Sequence, residues 1–413
     1  MKEINAKTII VTGAQFSNKG AQSLLFSFIT EIRKRFPGIK ILYIPLDSYA
    51  SYNQSELNFD VIYQSETSHR YEQNAVQRIK ITSKYIIKKV LRRQTVSLSN
   101  IKALHQAYKR ADALVDLSGY QLSSEWDIKI NMQFLRYLQE AQRHSVPVIL
   151  FPQSFGPFEY GENQTKMDTL IKSTLEKADC IYAREGEGYR LLTQKYHLQN
   201  VRQASDFVLQ CGEPDMKCIY RTDSIEKNIE NPPENAVAII PNFQNFNHGN
   251  SEQVMDVYRC IIDTILGTGK TIVIFRHSAD MDVCRKIYSF YQNNEMVTLN
   301  EREYSCVEYS RYIAGFSYIV AARYHAIVHA YKAGIPAIIL GWTNKYQELS
   351  KIFGQEQYLI NTSENNAAEL IQKKVVTMDN GYRNESIRIR SKLQELRSAQ
   401  CIETVAECLN HTK

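Results

Sequence analysis

The 413-residue chain lacks several features that would define its class at once. It contains no apolar run near the roughly 18 residues that a membrane-spanning helix needs. Its first ten residues lack the signal-peptide order, because charged residues run directly into an apolar strand. Its eight cysteines are scattered and form no Cys-x-x-Cys pair, which argues against a zinc site or a disulfide framework. We therefore expect a soluble protein of a reducing compartment, the cytoplasm, that holds no metal.

Acidic residues are missing from one stretch of the chain. Residues 73–111 contain no Asp or Glu and ten Lys or Arg, so a chain of net charge +6 carries −4 outside this stretch. Apolar residues recur there at spacings of three and four, which predicts a basic amphipathic helix. Such a helix is typical of a solvated face, a membrane-surface contact or a site that faces phosphates. No nucleic-acid partner is expected, because the remaining chain is acidic and no recognition motif is present.

Strand-like and helix-like segments alternate in both halves of the chain. Short runs of Val, Ile and Leu indicate parallel sheets covered on both faces. A polar, proline-containing stretch at 213–235 predicts a linker between domains at 1–212 and 236–413. We expect an α/β fold of two Rossmann-like domains with a cleft between them, and chemistry in the loops after the strands. The main predicted strands lie at 7–12, 39–44, 113–117, 146–151, 180–183, 236–241, 271–275, 317–321 and 337–340.

Polar loops follow the strands predicted in the N-terminal half. The first such loop opens a helix, where backbone N–H groups and the helix dipole favour an anion or a sugar hydroxyl. Asn18 in this loop would alternatively serve only as a helix cap. In a later loop Gln153 supplies donors and acceptors, although two prolines and a glycine there equally indicate a stiff strand exit. The candidate binding residues are Asn18, Lys19, Gly20, Gly119, Tyr120 and Gln153.

Arginine, histidine and lysine follow further strands. Arg184 ends one strand, where a surface ion pair would also explain it. Arg323 and His325 follow another strand and open a helix, and His329 one turn later is expected to be structural. The arginine fork matches a carboxylate or phosphate, and histidine gives or takes a proton near neutral pH. The pair therefore suits a small acidic substrate, and Lys345 after the next strand would add a second positive charge.

Taken in order, these segments resemble the motifs of the polysaccharide pyruvyltransferase family over nearly the whole chain. Ala21 stands where the family commonly has an acidic residue, and Gly188 stands where it commonly has serine. The most specific match is the Arg-x-His pair, which is followed by Gly-x-Pro and then by a lysine. The similar segments are GAQFSNKGAQSLL, DLSGYQLS, FPQSFGPF, YAREGEGYRLL, ASDFVL and ARYHAIVHAYKAGIPAIILGWTNKYQELSKIFG.

The resemblance implies a fold like that of the GT-B glycosyltransferases and a transferase without a cofactor. Such an enzyme moves the enolpyruvyl unit of phosphoenolpyruvate onto a sugar and forms a pyruvate ketal. The acceptor would be a polysaccharide or a lipid-linked oligosaccharide, which the basic helix would meet at the inner membrane face. By motif, His325 would be the acid–base residue. The donor would be bound by Arg184, Arg323, Tyr324 and Lys345, and the acceptor by Asn18, Lys19, Gly20, Gly119, Tyr120 and Gln153.

Two other classes of function are open at this point. A GT-B glycosyltransferase that uses a nucleotide sugar would stack the base on Tyr324 or Trp342, although no carboxylate for the ribose stands out. A catalytically inactive glycan-binding or scaffold protein would share the fold, but it would have no need of Arg323, His325 and Lys345 together.

Overall fold

The chain folds around two parallel β-sheets. The computed structural model describes residues 7–45, 55–63, 75–90, 98–221, 230–248, 250–341, 343–362, 368–397 and 400–411. Within these residues the strands form one seven-stranded and one six-stranded sheet, each covered by helices on both faces. This architecture confirms the predicted α/β class with two Rossmann-like units.

The first sheet has the strand order β3-β2-β1-β4-β5-β6-β7, and every pairing in it is parallel. Its central strands are buried at every residue except Thr8, as expected for a sheet with helices on both faces. The order reverses between β1 and β4, which opens a crevice for loops at the carboxyl edge. The strands are β1 Thr8–Thr12, β2 Lys40–Ile44, β3 Asp60–Val61, β4 Ala113–Asp116, β5 Val148–Gln153, β6 Cys180–Ala183 and β7 Val201–Gln203.

The second sheet repeats this design with the order β10-β9-β8-β11-β12-β13, again with parallel pairings. Its order reverses between β8 and β11, so the loops after these two strands flank the second crevice. The strands are β8 Val237–Ile240, β9 Ile272–Phe275, β10 Val297–Asn300, β11 Tyr318–Ala321, β12 Ala337–Leu340 and β13 Leu359–Ile360.

The helices follow the strands in alternation. In the basic stretch two helices, α2 and α3, stand where one was predicted, and residues 91–97 between them lie outside the described part. The first eight are α1 Lys19–Arg35, α2 Ala75–Val90, α3 Leu98–Arg110, α4 Ile128–Arg143, α5 Gln164–Leu175, α6 Gly186–Arg190, α7 Phe207–Gln210 and α8 Met216–Ile219. The others are α9 Phe243–His248, α10 Ser251–Gly267, α11 Met281–Tyr288, α12 Cys306–Ile313, α13 Tyr324–Ala333, α14 Asn344–Phe353, α15 Ala368–Leu396 and α16 Gln400–His411.

Helix α1 lies between the domains and contacts helices α12 and α13 of the second domain. Asn18 caps it by accepting hydrogen bonds from the backbone N–H groups of the next turn. The Gln22 side chain accepts a hydrogen bond from the N–H of Cys306 at 2.7 Å, and Ser23 Oγ lies 2.9 Å from Nε2 of His329. These buried polar contacts join the first domain to the second and fix how the domains face each other.

The C-terminal helix α16 packs on the first domain, although residues 236–413 were all predicted to belong to the second. Arg35 on α1 donates to Glu403 at 2.7 Å, and the hydroxyls of Tyr182 and Thr404 lie 2.7 Å apart. The apolar face of the helix, which includes Val405 and Leu409, is buried. The chain therefore returns to the first domain after the second sheet is complete. No helix in the described residues is both long and apolar enough to cross a membrane.

Candidate active site

The predicted donor residues meet where loops of the two domains face each other. Arg184 follows β6, whereas Arg323 follows β11 and is the N-cap residue of α13, whose first turn contains His325. His325 Nε2 lies 3.6 Å from Oδ2 of Asp206, which precedes α7 in the first domain. The acid–base candidate thus lies at the contact between the domains.

Arg184 is the centre of a buried cluster. Its Nε donates to Glu185 at 2.7 Å, its Nη1 to Asp206 at 2.9 Å and its Nη2 to Ser154 at 2.6 Å. The guanidinium carbon also lies 4.1 Å from the ring centroid of Tyr324. Burial disfavours the charge, but the carboxylates of Glu185 and Asp206 outweigh it and raise the pKa of Arg184. The arginine is therefore a permanent cation with most of its donors already used.

Arg323 has one strong partner on its own domain. Its Nε and Nη2 donate to the two oxygens of Asp280 at 2.9 and 2.5 Å. Asp280 is fully buried and also accepts from the N–H of Phe243. The Arg323 side chain retains 22% of its exposure, so a ligand can reach it. The bidentate pair holds the guanidinium in one orientation toward the cleft.

His325 fits into space that only a glycine leaves free. A Cβ atom added to Gly20 would lie 2.2 Å from His325 Nδ1, so no larger residue fits there without movement. Nε2 is buried and has no hydrogen-bond partner within the described residues. Burial lowers the pKa of His325 to about 4, with Arg184 and Lys345 adding to the effect and Asp206 opposing it. The imidazole is therefore neutral at pH 7 when the cleft holds no substrate.

Lys345 is a half-buried cation beside this pair. Its Nζ lies 5.3 Å from the ring centroid of Tyr120 and 5.5 Å from that of Tyr346. It makes no hydrogen bond or ion pair with any residue that the structure describes. Burial, followed by the charge of Arg184, lowers its pKa to about 8. An ammonium that no described carboxylate pairs with directly, although Glu185 and Glu125 raise its pKa from a distance, is suited to an anionic ligand.

The loop that contains the acceptor candidates Asn18, Lys19 and Gly20 contacts the second domain, where the donor candidates Arg323 and Lys345 lie. Asn18 is engaged as the cap of α1, and Gly20 is in contact with His325. Lys19 is 3% exposed, and its Nζ lies 6.0 Å from the ring centroid of Tyr309. Burial, partly offset by Glu303, lowers the pKa of Lys19. Of the three residues, Gly20 lies against the acid–base candidate, and the assignment of all three to the acceptor stays a prediction.

The other acceptor candidates lie on two adjoining loops. The carbonyl of Gly119 accepts from the N–H of Ser154 at 2.9 Å, which ties the loops together. The Tyr120 hydroxyl donates to Glu125 at 2.7 Å, and its ring contacts Trp126, which is 38% exposed. Tyr120 thus links this surface to Lys345, and its assignment stays a prediction.

Gln153 has a different setting from Tyr120. Its side chain is fully buried, and its Nε2 donates to Asp116 Oδ1 at 3.1 Å. In this structure Gln153 holds Asp116 rather than facing the surface, so its contact with an acceptor stays a prediction. Trp342, the alternative stacking residue, lies outside the described residues.

Two carboxylates of the site, Asp206 and Asp280, were given no role from sequence. Each lies just before a helix, and Asp206 indeed accepts from the N–H of Val208 at 3.0 Å as a helix cap does. The available signal was the family-like segment ASDFVL for Asp206 and a position after a strand for Asp280. Among the described residues, no group of three or more His, Cys, Asp or Glu could hold a metal ion.

The fold and the cleft define a two-domain protein of the GT-B class. Similar solved structures include the UDP-GlcNAc 2-epimerase from Methanocaldococcus jannaschii, with 13% identity, a TM-score of 0.55, and coverage of 91% of this chain and 93% of that one. The Neisseria meningitidis enzyme of the same name, bound to UDP-GlcNAc, has 13% identity, a TM-score of 0.56 and coverage of 98% and 100%. Medicago truncatula UGT71G1 with UDP-glucose has 12% identity, a TM-score of 0.56 and full coverage of both chains, 100% each. At such identities the likeness extends to the fold alone.

The family follows from the sequence match. The model of the family described as polysaccharide pyruvyl transferase matches residues 18–344. Because this span covers most of the chain, the protein belongs to the polysaccharide pyruvyl transferase family. The span contains Asn18, Arg184, Arg323 and His325 and ends directly before Lys345. A search of curated proteins finds no match.

Proposed function

We propose that this transferase moves the enolpyruvyl unit of phosphoenolpyruvate onto a sugar and closes it to a cyclic pyruvate ketal. The observation that carries the proposal is the position of His325 at the contact between the domains. It lies 3.6 Å from Asp206, close to the cations Arg184 and Lys345, and at the same helix start as Arg323. A donor with about three negative charges matches this set of cations. Arg323 and Lys345 keep donors available for the carboxylate and the phosphate, while Arg184 contributes its charge from behind.

His325 supplies the proton transfers that the reaction needs. The donor's anionic groups favour the protonated imidazole, which gives its proton to the methylene carbon, so that the methylene becomes a methyl group. One sugar hydroxyl attacks C2 and its proton restores the imidazolium. A second hydroxyl then attacks C2, the C–O bond to phosphate breaks, and phosphate leaves with that hydroxyl's proton. The products are the ketal and inorganic phosphate, so atoms and charges balance.

The cations stabilise the charges that develop in this sequence. The positive centre at C2 forms next to the donor's carboxylate, and the leaving phosphate gains charge that Arg323 and Lys345 oppose. Holding donor and hydroxyl together in a closed cleft removes the entropy cost of their encounter. The acceptor sugar would approach from the first domain, past Tyr120 and the exposed face of Trp126.

The acceptor is proposed to be a polysaccharide or a lipid-linked oligosaccharide met at the inner membrane face. Helix α2 supports this, because Val76 and Ile79 are 66% and 68% exposed within a stretch that carries no acidic residue. Exposed apolar residues on a basic helix favour an anionic lipid surface over plain solvent. The structure describes only the backbone of residues 84–90, and Arg92 and Arg93 lie outside it.

Mass spectrometry of the acceptor tests the proposed reaction. Purified protein is incubated with phosphoenolpyruvate and candidate lipid-linked oligosaccharides, and we expect a mass gain of pyruvic acid minus water together with released phosphate. His325→Gln is the control for contaminating activity. Parallel incubations with UDP- and GDP-sugars test the rival class, since transfer of a sugar without pyruvate would identify a glycosyltransferase. Glycan binding without any mass change in either arm would identify a binding protein.

A further inference from the structure

We propose that Asp206 is a positioning residue for His325: its carboxylate accepts the Nε2–H of the imidazole and stabilises the imidazolium. This role rests on the proposed function, in which His325 must carry a proton to the donor. Asp206 itself touches neither donor nor acceptor in this scheme. It acts through the histidine, as a buried carboxylate does when it fixes the tautomer of a catalytic imidazole.

The contacts of Asp206 account for both of its oxygens. Oδ1 accepts from the N–H of Val208 at 3.0 Å, which fixes the side chain at the start of α7. Oδ2 accepts from Arg184 Nη1 at 2.9 Å and faces His325 Nε2 at 3.6 Å. The carboxylate is fully buried, so water does not compete for this oxygen. The geometry therefore directs one oxygen at one imidazole nitrogen.

His325 has a buried nitrogen that lacks a hydrogen-bond partner in the part of the chain that the structure describes. Nε2 is buried and has no other hydrogen-bond partner among the described residues. At 3.6 Å the pair is slightly longer than a hydrogen bond. Catalytic hydrogen bonds are often long in the absence of substrate and shorten in the complex. A shift of a few tenths of an ångström would complete the bond to Asp206.

The other charges near His325 oppose its protonation, so the Asp206 carboxylate is needed to stabilise the imidazolium. From the first domain it is faced by Asp206 and Arg184, and from α14 by Lys345; His329 follows one turn later on α13. Burial and the two cations all disfavour a proton on the imidazole, and Asp206 alone among these groups favours it. With Asn at position 206 the imidazole would be harder to protonate, even with the donor bound.

The pair also crosses the domain boundary. Asp206 belongs to the first domain and His325 to the second, and Gly20 on α1 allows the imidazole to approach closely. The histidine therefore acquires its carboxylate only when the two domains are packed as they are here. Proton transfer is thereby confined to the assembled cleft.

Two matched variants separate positioning from charge balance around Arg184. Asp206→Asn keeps the helix cap, because asparagine caps as well as aspartate, but removes the charge that faces His325. Glu185→Gln removes the other carboxylate bonded to Arg184, at 2.7 Å, which is not among the groups that act on His325. Both variants remove a carboxylate that accepts a hydrogen bond from Arg184. Only the first should change the histidine.

The readouts are imidazole ¹⁵N NMR without any substrate and the pH profile of kcat. In the wild type we expect the neutral His325, assigned by loss of its signals in His325→Gln, to carry its proton on Nε2. Asp206→Asn should reduce this preference, lower kcat at least tenfold and move the alkaline limb of kcat to lower pH. Glu185→Gln should leave the tautomer and the limb in place.

The proposal is overturned if wild-type His325 carries its proton on Nδ1, or if both variants shift the tautomer and the pH profile equally. The NMR result needs neither donor nor acceptor, and the only variant that must fold for its assignment is His325→Gln. If His325 carries its proton on Nε2 but the protein transfers no pyruvate, the Asp206–His325 interaction is supported and the proposed function is rejected.

Discussion

Two arginines predicted to bind the same donor lie in contrasting surroundings on the two sides of the cleft. On the first domain Arg184 is 4% exposed, donates to three different side chains and stacks on Tyr324. On the second domain Arg323 is 22% exposed, lies 5.2 Å from the ring centroid of Phe243 and, among the described residues, donates only to the carboxylate of Asp280. One guanidinium is enclosed by partners, whereas the other presents a free edge.

The difference indicates a division of labour between the two regions. A buried arginine whose donors are used holds its neighbours in place and adds a fixed positive field. An oriented and accessible arginine can form new hydrogen bonds to a carboxylate or phosphate at little reorganisation cost. We therefore expect Arg323 to determine donor affinity directly and Arg184 to determine the integrity of the site, with His325 between them.

The largest expected effect is at His325, where the two regions meet. His325→Gln should lower kcat at least about 100-fold, because the group that carries the proton to the methylene carbon is lost. The protein should stay folded, since the amide occupies similar space beside Gly20. Turnover is measured by phosphate release, and folding by circular dichroism. Retention of more than about a tenth of the wild-type rate would show that another residue carries the proton.

The next effect separates the two arginines. Arg184→Lys should destabilise the protein by about 3 kcal/mol, because lysine keeps the charge but leaves buried acceptors such as Ser154 and Asp206 without partners. Arg323→Lys should change stability less and weaken phosphoenolpyruvate binding about tenfold, through loss of the fork.

Thermal unfolding and calorimetric titration of phosphoenolpyruvate measure the two sides of this comparison. Each variant serves as the control for the other. If both lost affinity equally with no difference in stability, the contrast between the regions would be wrong. If neither lost affinity, the donor would bind elsewhere.

The sequence was a good guide to the central strands and a poor one to the edges. β6 lies at Cys180–Ala183, as predicted, because a short run of buried apolar residues has few other interpretations. β3 and β13 contain two residues each, and β7 has two exposed polar residues, so none shows a periodicity that could be detected. The domain on which α16 packs could not be predicted either, because the apolar face of a helix does not specify which domain covers it.

The cations of the site could be predicted from the sequence, whereas the carboxylates that contact them could not. Arginine, histidine and lysine after strands suggest ligand chemistry by their type, and the strand ends place them at one edge of the sheet. Asp206 and Asp280 precede helices, where aspartate is expected as a cap, so local sequence gives no sign of Arg184, His325 or Arg323 as partners. Which carboxylate meets which cation depends on the packing of two domains and on no local pattern.

A smaller effect concerns Lys345, which makes no direct ion pair with any residue that the structure describes. Because its pKa is lowered to about 8, its charge is present below that pH and lost as the pH rises through it. Affinity for the anionic donor should therefore fall about tenfold between pH 7 and pH 9. Calorimetric titrations in that range test this. Lys345→Met should bind more weakly at pH 7 and show a much flatter profile; an equally steep profile in both proteins would assign the titration to another group.

The smallest effect lies far from the cleft, on helix α2. Substitution of Lys84, Lys88, Lys89, Arg92 and Arg93 by Gln removes half of the ten positive charges in residues 73–111. Each basic residue near an anionic membrane contributes about 1 kcal/mol, screened by salt. We expect the wild type to sediment with anionic vesicles at low salt and less so at high salt, and the variant to remain in solution.

A second pair of substitutions tells lipid binding from simple charge attraction. Val76→Ser and Ile79→Ser keep every charge but remove the exposed apolar side chains of α2. If the helix enters the interface, this pair should also reduce sedimentation, because each buried apolar side chain contributes through area removed from water. Neutral vesicles are the control for both proteins. Activity on a soluble acceptor should be the same in all variants, since α2 contributes no residue to the cleft described above. If neither anionic lipid nor either set of substitutions changes sedimentation, α2 is only a solvated helix face. The functional difference between regions would then be the one between Arg184 and Arg323 in the cleft.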